Sequence, residues 1–229
     1  MSLKAVVLNC SLKGKGETSN TRALIDEVVK VFDKKKVETK IFRLADHNIP
    51  AAISTDVGEG DEWPEIFEAI KAADILIIGT PIWLGEKSSI ATKAIERLYG
   101  GSSLTNDEGQ AIYYNKVGGA VVTGNEDGGK SVSRSIIYSL SHIGFTIPPN
   151  VDAYWVGEAG PGPSFIEAEG YKNDFTINSA KTLGYNLVHF AEMLKEHPIP
   201  VEGNTLSSKK TKIIIHIIKN RPLQRSVFL

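Results

Sequence analysis

The run DILIIGT, from Asp74 to Thr80, narrows most sharply what this chain can become. It is a nearly unbroken apolar stretch of strand length, and a strand of that composition has to be covered on both faces. KAVVLN (Lys4 to Asn9), KVGGAVVTG (Lys116 to Gly124) and the short run from Val151 to Val156 have a similar character. VETKIFRL (Val37 to Leu44) alternates instead, as an edge strand does. Between these runs the period changes. Leu24, Ile25, Val28, Val29 and Phe32 recur at three- and four-residue spacings, and WPEIFEAIKAA carries Pro64 in a first helical turn. Residues 87–99, 129–143 and 174–196 read as further helices. Five strands joined by helical crossovers predict an α/β fold, a doubly wound parallel sheet with helices on both faces, because each crossover must be right-handed and cover a face. No internal repeat or linker interrupts the pattern before residue 198.

Composition removes other classes. The 229 residues are 41% hydrophobic and 23% charged, which excludes a collagen, a coiled coil and a wholly disordered chain. The formal net charge of −1 hides a split. Before Ser207 there are 20 bases against 27 acids, and after it six bases and no acid, so a −7 body carries a +6 tail. No nucleic-acid surface is expected on such a body. The single cysteine, Cys10, allows neither an internal disulfide nor a cysteine zinc site, fits a reducing cytosol, and reads as a small buried hydrophobe. The histidines at 47, 142, 189, 197 and 216 lack ligand-pair spacing, so no metal is expected. The longest apolar run, IIIHII, is far too short for a transmembrane segment, and a cytoplasmic protein is expected.

In sheets of this kind, ligands bind beyond the carboxyl ends of the strands, where chain direction switches. Three of those ends carry more than a connector needs. After the first strand, NCSLKGKGETSNTRAL supplies Ser11, Thr18, Ser19, Asn20 and Thr21, with Lys13 and Lys15, where a helix begins. Free N–H groups, hydroxyls and the helix dipole favour a phosphate there. The same residues also read as an N-capped helix with Ser19 or Asn20 as the cap. Neither a Walker loop nor a full dinucleotide fingerprint is present, since Gly14 and Gly16 are followed by Ser19. After the third strand, GTPIWLGEKSSIATKAIERL suits either a planar heterocycle or a loop around a partly buried Trp83. After the fourth, TGNEDGGKS either exposes backbone donors to a ligand or makes a simple turn.

SLKGKGETSNT, TPIWLGEKSSIATKAIERL and TGNEDGG together resemble the flavodoxin-like NADPH-dependent FMN reductase and NAD(P)H:quinone oxidoreductase families, over residues 4–196. The middle segment is the most diagnostic, being similar to the family's TP-x-(Tyr/Trp)-x-G followed by a lysine-containing helix. The resemblance implies a flavodoxin-like sheet of strand order 2-1-3-4-5, forming an FMN-binding domain over residues 1–198 and leaving 199–229 as a basic tail outside the core. It implies that Ser11, Ser19, Asn20 and Thr21 hold the FMN phosphate, with Lys13 also on the cofactor. Pro81, Ile82, Trp83, Leu84 and Gly85 would run along the isoalloxazine edge, backbone N–H groups of this stretch meeting its N and O atoms. Thr123, Gly124, Asn125, Gly128 and Gly129 would lie near the dimethylbenzene and ribityl side.

The chain departs from the family pattern in two places. Lys13 to Thr18 lengthen the phosphate loop, and Gly157 to Asp174 form a long loop similar to versions that close over the flavin of a neighbouring subunit. The resemblance also implies a homodimer or homotetramer. The chemistry so implied passes a hydride from NAD(P)H through FMN to a quinone or similar small-molecule acceptor, with no side-chain nucleophile. A flavodoxin-type FMN electron carrier without NAD(P)H turnover is the second reading, and a flavin-free α/β regulator the third. The tail reads either as a basic arm for a partner subunit, anionic membrane or nucleic acid, or as an accessory segment with no role in the chemistry.

Overall fold

A computed structural model of the chain describes residues 2–158 and 162–206, and the basic segment 207–229 lies outside the described residues. Five parallel strands, β1 (Lys4–Asn9), β2 (Glu38–Arg43), β3 (Ile75–Trp83), β5 (Val117–Thr123) and β6 (Asp152–Trp155), stand in the order β2-β1-β3-β5-β6. A two-residue strand, β4 (Glu86–Lys87), folds back antiparallel on β3 through the pairs Ile82–Lys87 and Trp83–Glu86. Counting the parallel strands alone, this is the flavodoxin-like order expected from the sequence, and β4 is the addition. Lys87 was expected to open a helix. It lies in β4 because the helix starts only after Ser88, whose Oγ accepts the Ala91 N–H at 3.1 Å.

Helices α1 (Asn20–Lys34) and α5 (Asp174–Glu196) cover one face of the sheet; α2 (Trp63–Ala72), α3 (Ser89–Gly100) and α4 (Gly129–Ile143) cover the other. Alternate residues of β3 serve both. Ile75 and Ile77 pack with Leu24, Ile25 and Leu187, whereas Leu76 and Ile78 pack with Ile66, Leu98 and Ile136. Each side chain so buried contributes about 1.5–3 kcal/mol, so a polar residue on either face would lose that and add a desolvation penalty.

Pairing of β1 with β3 ends at Asn9–Gly79, while β3 continues beside β5 as far as Pro81–Thr123. Pro81 therefore stands where β1 has turned away and no ladder bond on that side needs its missing N–H. That parting opens a cleft at the carboxyl end of the sheet. At the other end, Ile199 donates its N–H to Asn115 Oδ1 at 2.7 Å and Leu206 to the Gly109 carbonyl at 3.0 Å. The chain just beyond Pro198 thus lies against the loop preceding β5. Among the described residues no helix is long and apolar enough to cross a membrane.

One ion pair fixes the long connection between β2 and α2. Arg97 of α3 is wholly buried. Its Nε donates to the Ser54 carbonyl at 2.7 Å and its Nη1 to the Pro50 carbonyl at 3.0 Å, while the guanidinium forks onto both carboxylate oxygens of Asp61. Burial pushes the Asp61 carboxyl up. The Arg97 hydrogen bond, the N–H groups of Trp63 and Val57 and the Arg97 charge together outweigh burial and hold it below the usual carboxylate value.

Arg97→Ala should therefore lower stability by about 3–5 kcal/mol in urea unfolding, because it leaves a buried carboxylate without its partner. Since the folded pKa of Asp61 is depressed, its contribution is present above the unfolded value of about 4 and is lost as pH falls through the folded one. Urea midpoints measured from pH 6 down to 2 should show a shallower acid limb in Asp61→Asn than in the wild type.

Candidate functional site

The loop after β1 is built from donors. Asn9 is 1% exposed on the α1 side of the sheet. Its Oδ1 accepts the Ser11 N–H at 3.2 Å, while its Nδ2 is buried with no hydrogen-bond partner among the described residues. Ser11 Oγ accepts the Lys13 N–H at 3.3 Å. The inserted stretch is pinned by Arg43 of β2, which donates to the carbonyls of Gly14 and Glu17. Ser19 caps α1, its Oγ accepting the Arg22 N–H at 3.1 Å. The first-turn N–H groups of Asn20 and Thr21 fall outside the helical ladder, and no acid stands in that turn. Hydroxyls, Lys13, the unpaired Asn9 amide and the positive end of α1 make a set that fits a phosphate.

The loop after β3 is a hairpin tip. Leu84 and Gly85 have φ of 52° and 77°, the left-handed pair that a two-residue turn between β3 and β4 requires. Leu84 is 93% exposed. Its N–H donates to Glu126 Oε1 at 2.9 Å, which ties the tip to the loop after β5. Gly128, at φ 128°, presses on the same tip: a Cβ there would stand 2.9 Å from Gly85 Cα. Beneath the hairpin, Ser88 Oγ donates to the Cys10 carbonyl at 2.7 Å and the Ser88 N–H to Thr80 Oγ1 at 3.0 Å. Cys10 is fully buried, and burial pushes its thiol pKa up, so it stays an unreactive packing residue.

These loops meet around a cavity of about 270 Å³. Ser11, Lys13, Asn20 and Thr21 line it from the first loop, Pro81, Ile82 and Trp83 from the end of β3, and Thr123, Gly124 and Asn125 from the end of β5. Thr21 and Thr123 join two of the walls, their hydroxyls 2.7 Å apart. Ser19 faces its own helix. Leu84, Gly85, Gly128 and Gly129 stand outside the lining, and a Cβ on Gly129 would meet the Tyr154 ring at 2.9 Å.

A strap crosses the mouth. Ser164 and Phe165 line the cavity from above; the Ile166 N–H donates to Asn20 Oδ1 at 2.9 Å and Asn125 Nδ2 to the Gly162 carbonyl at 3.0 Å. The side-chain amides of both asparagines thus hold the strap. Phe165, buried, meets Trp155 edge-on at 5.8 Å. The described part of the long loop therefore lies over this chain's own cleft. Asn9, Thr80, Ser88, Glu126, Ser164 and Phe165 lie within segments the sequence singles out, but no site role was expected of any of them. Ser88 alone left a local signal, a hydroxyl one residue ahead of a helix.

Glu126→Ala should release the hairpin tip at a cost of about 1 kcal/mol, less than a buried charged hydrogen bond because the pair is partly exposed. Hydrogen exchange over residues 82–87 should quicken about fivefold. Glu126→Gln, which keeps an acceptor, should stay near the wild type.

The family model for NADPH-dependent FMN reductase matches residues 3–159. The 8-demethyl-8-aminoriboflavin-5'-phosphate synthase of Streptomyces davaonensis is 39% identical over 207 residues, spanning 86% of this chain and 80% of that protein. A divalent metal cation transporter, MntH of Mycobacterium bovis, is 42% identical over 199 residues; these are 84% of this chain but 29% of the transporter's length. The crystal structure of RosB with the bound intermediate 8-demethyl-8-formylriboflavin-5'-phosphate superposes with a TM-score of 0.84 at 36% identity, covering 94% of this chain and 87% of the other.

Proposed function

The chain belongs to the NADPH-dependent FMN reductase family, and from that premise we propose an FMN-dependent oxidoreductase that passes a hydride from NAD(P)H to a quinone or similar small acceptor. One observation carries this reading: the loops after β1, β3 and β5 converge on a single cleft where β1 and β3 part. Bound FMN would supply the hydride chemistry, taking it from the nicotinamide and giving it to the acceptor. The chain's own residues would bind and orient. Ser11, Lys13 and the first-turn N–H groups of α1 would take the phosphate, with the Asn9 amide beneath them. The end of β3 would border the ring, its tip held by Glu126. Trp83, 55% exposed at the rim, would offer an indole face to a planar molecule. Phe165 would keep water out on the side the strap covers.

A second reading makes a riboflavin phosphate the substrate instead of the resident cofactor. It is favoured by the 39% identity to a protein named as an aminoriboflavin phosphate synthase. The same phosphate donors serve both readings.

Anaerobic mixing with NADPH tests the first. Bleaching of the flavin absorbance, and its return on adding menadione, is the expected outcome; no bleaching would leave a flavodoxin-type carrier. The mass of the flavin recovered after turnover separates the second reading, unchanged for a cofactor and altered for a substrate. Ser19→Asp should raise the FMN Kd at least tenfold, about 1.4 kcal/mol. Aspartate caps a helix as well as serine, so the substitution adds a charge at the phosphate without losing the cap. An unchanged Kd by fluorescence titration would sink the phosphate assignment.

A further inference from the structure

A larger cavity, about 540 Å³, lies beyond β6 at the edge of the sheet and has no part in the cleft. Its volume falls within the ~300–1,000 Å³ usual for small-molecule sites. Its walls are aromatic: Tyr154 and Trp155 at the end of β6 and Phe175 at the start of α5, with Tyr154 and Phe175 edge-on at 5.9 Å. Among the polar groups here, Trp155 Nε1 is buried with no hydrogen-bond partner among the described residues, while others are committed. Asn173 Oδ1 accepts the Thr176 N–H at 2.9 Å, and Thr176 Oγ1 donates to the Tyr154 carbonyl at 3.2 Å. The charged group in the lining is the Glu158 carboxylate, and Asp174 follows Asn173 at the helix start. What is left to a ligand is a set of ring faces and edges, one unpaired indole N–H, and two carboxylates at the positive end of α5.

The segment 163–168 is a partition between the two spaces. Pro163 and Ala168 line the cavity, whereas Ser164 and Phe165 line the cleft. Phe165 on one side meets Trp155 on the other at 5.8 Å, so a single pair of rings separates them.

We infer that this cavity is a second binding site, for a planar aromatic molecule without negative charge, filled independently of the cleft and one aromatic layer away from it. Offset and edge contacts with the three aromatic residues hold a flat ring system. The two carboxylates of Glu158 and Asp174 outweigh the roughly half positive charge at the N-terminus of α5 and so disfavour an anionic one. The site does not depend on what occupies the cleft.

The test is calorimetric titration of the full 229-residue chain with menadione, an uncharged naphthoquinone, with and without saturating FMN. The expected result is one menadione per chain in both cases, with 1,4-naphthoquinone-2-sulfonate at least tenfold weaker. Ala168→Leu, which narrows the cavity from the partition, should weaken menadione at least tenfold and leave the FMN Kd unchanged. Phe175→Ser at the exposed rim should do the same if the first variant fails to fold. Displacement of menadione by FMN would place the quinone in the cleft and overturn the inference. So would equal affinity in the folded variants, the absence of binding to the wild type, or a stoichiometry that falls with protein concentration because a second copy covers the cavity. A wild type that takes up menadione but no FMN would count against the proposed function alone.

Discussion

Where β1 turns away from β3 after the Asn9–Gly79 pair, backbone groups lose their ladder partners and must find others. The Cys10 N–H still reaches the Gly79 carbonyl at 2.8 Å, and the Cys10 carbonyl is taken by Ser88 Oγ at 2.7 Å. Ser88 in turn meets Thr80 and caps α3, so one buried hydroxyl joins β1, β3 and the helix that follows. Leaving such a buried group unpaired would cost about 1–3 kcal/mol, and this hub therefore decides how far the strands can part. The donor-rich loop, the hairpin and the cleft between them all hang from that opening.

The hairpin tip balances strain against charge. A non-glycine residue in the left-handed region, as Leu84 is, costs about 1–2 kcal/mol. Its N–H to the Glu126 carboxylate offsets a comparable amount, because hydrogen bonds to charged groups contribute about 1.5–3 kcal/mol, less where solvent screens them. Gly128 supplies the third condition, since any Cβ there would push into Gly85. Two loops far apart in the chain thus hold each other, and the tip stays in place without being buried.

Strand and helix placement was legible because it rests on periodicity, which DILIIGT and its neighbours carry within single segments, whereas the order of the strands came with the family resemblance. The loop after β1 stood out for a related reason, its hydroxyls and lysines falling within one short segment, Ser11 to Thr21. Ser19 is the helix cap that one of its two readings expected. The strap was not legible. Asn20 and Ile166 are 146 residues apart, and no local pattern announces that contact. Nor was β4, whose two residues carry no propensity signal and exist because the Leu84–Gly85 turn permits them. Asn20 and Asn125, read as cofactor contacts, line the cleft while their side chains hold the strap, a use that residue type alone cannot distinguish from ligand binding.

The stretch matched by the family model ends at residue 159. It contains the donor-rich loop, the hairpin and the loop after β5, which are the three that meet at the cleft. The strap at 162–167 and the α5 side of the larger cavity lie beyond it. Changes at Pro163, Ala168 or Phe175 reshape the larger cavity without touching Ser11, Thr21 or the β3 hairpin, because Phe165 and Trp155 stand between the two spaces. That separation leaves a segment the sheet does not constrain free to vary while the three loops that build the cleft keep their places.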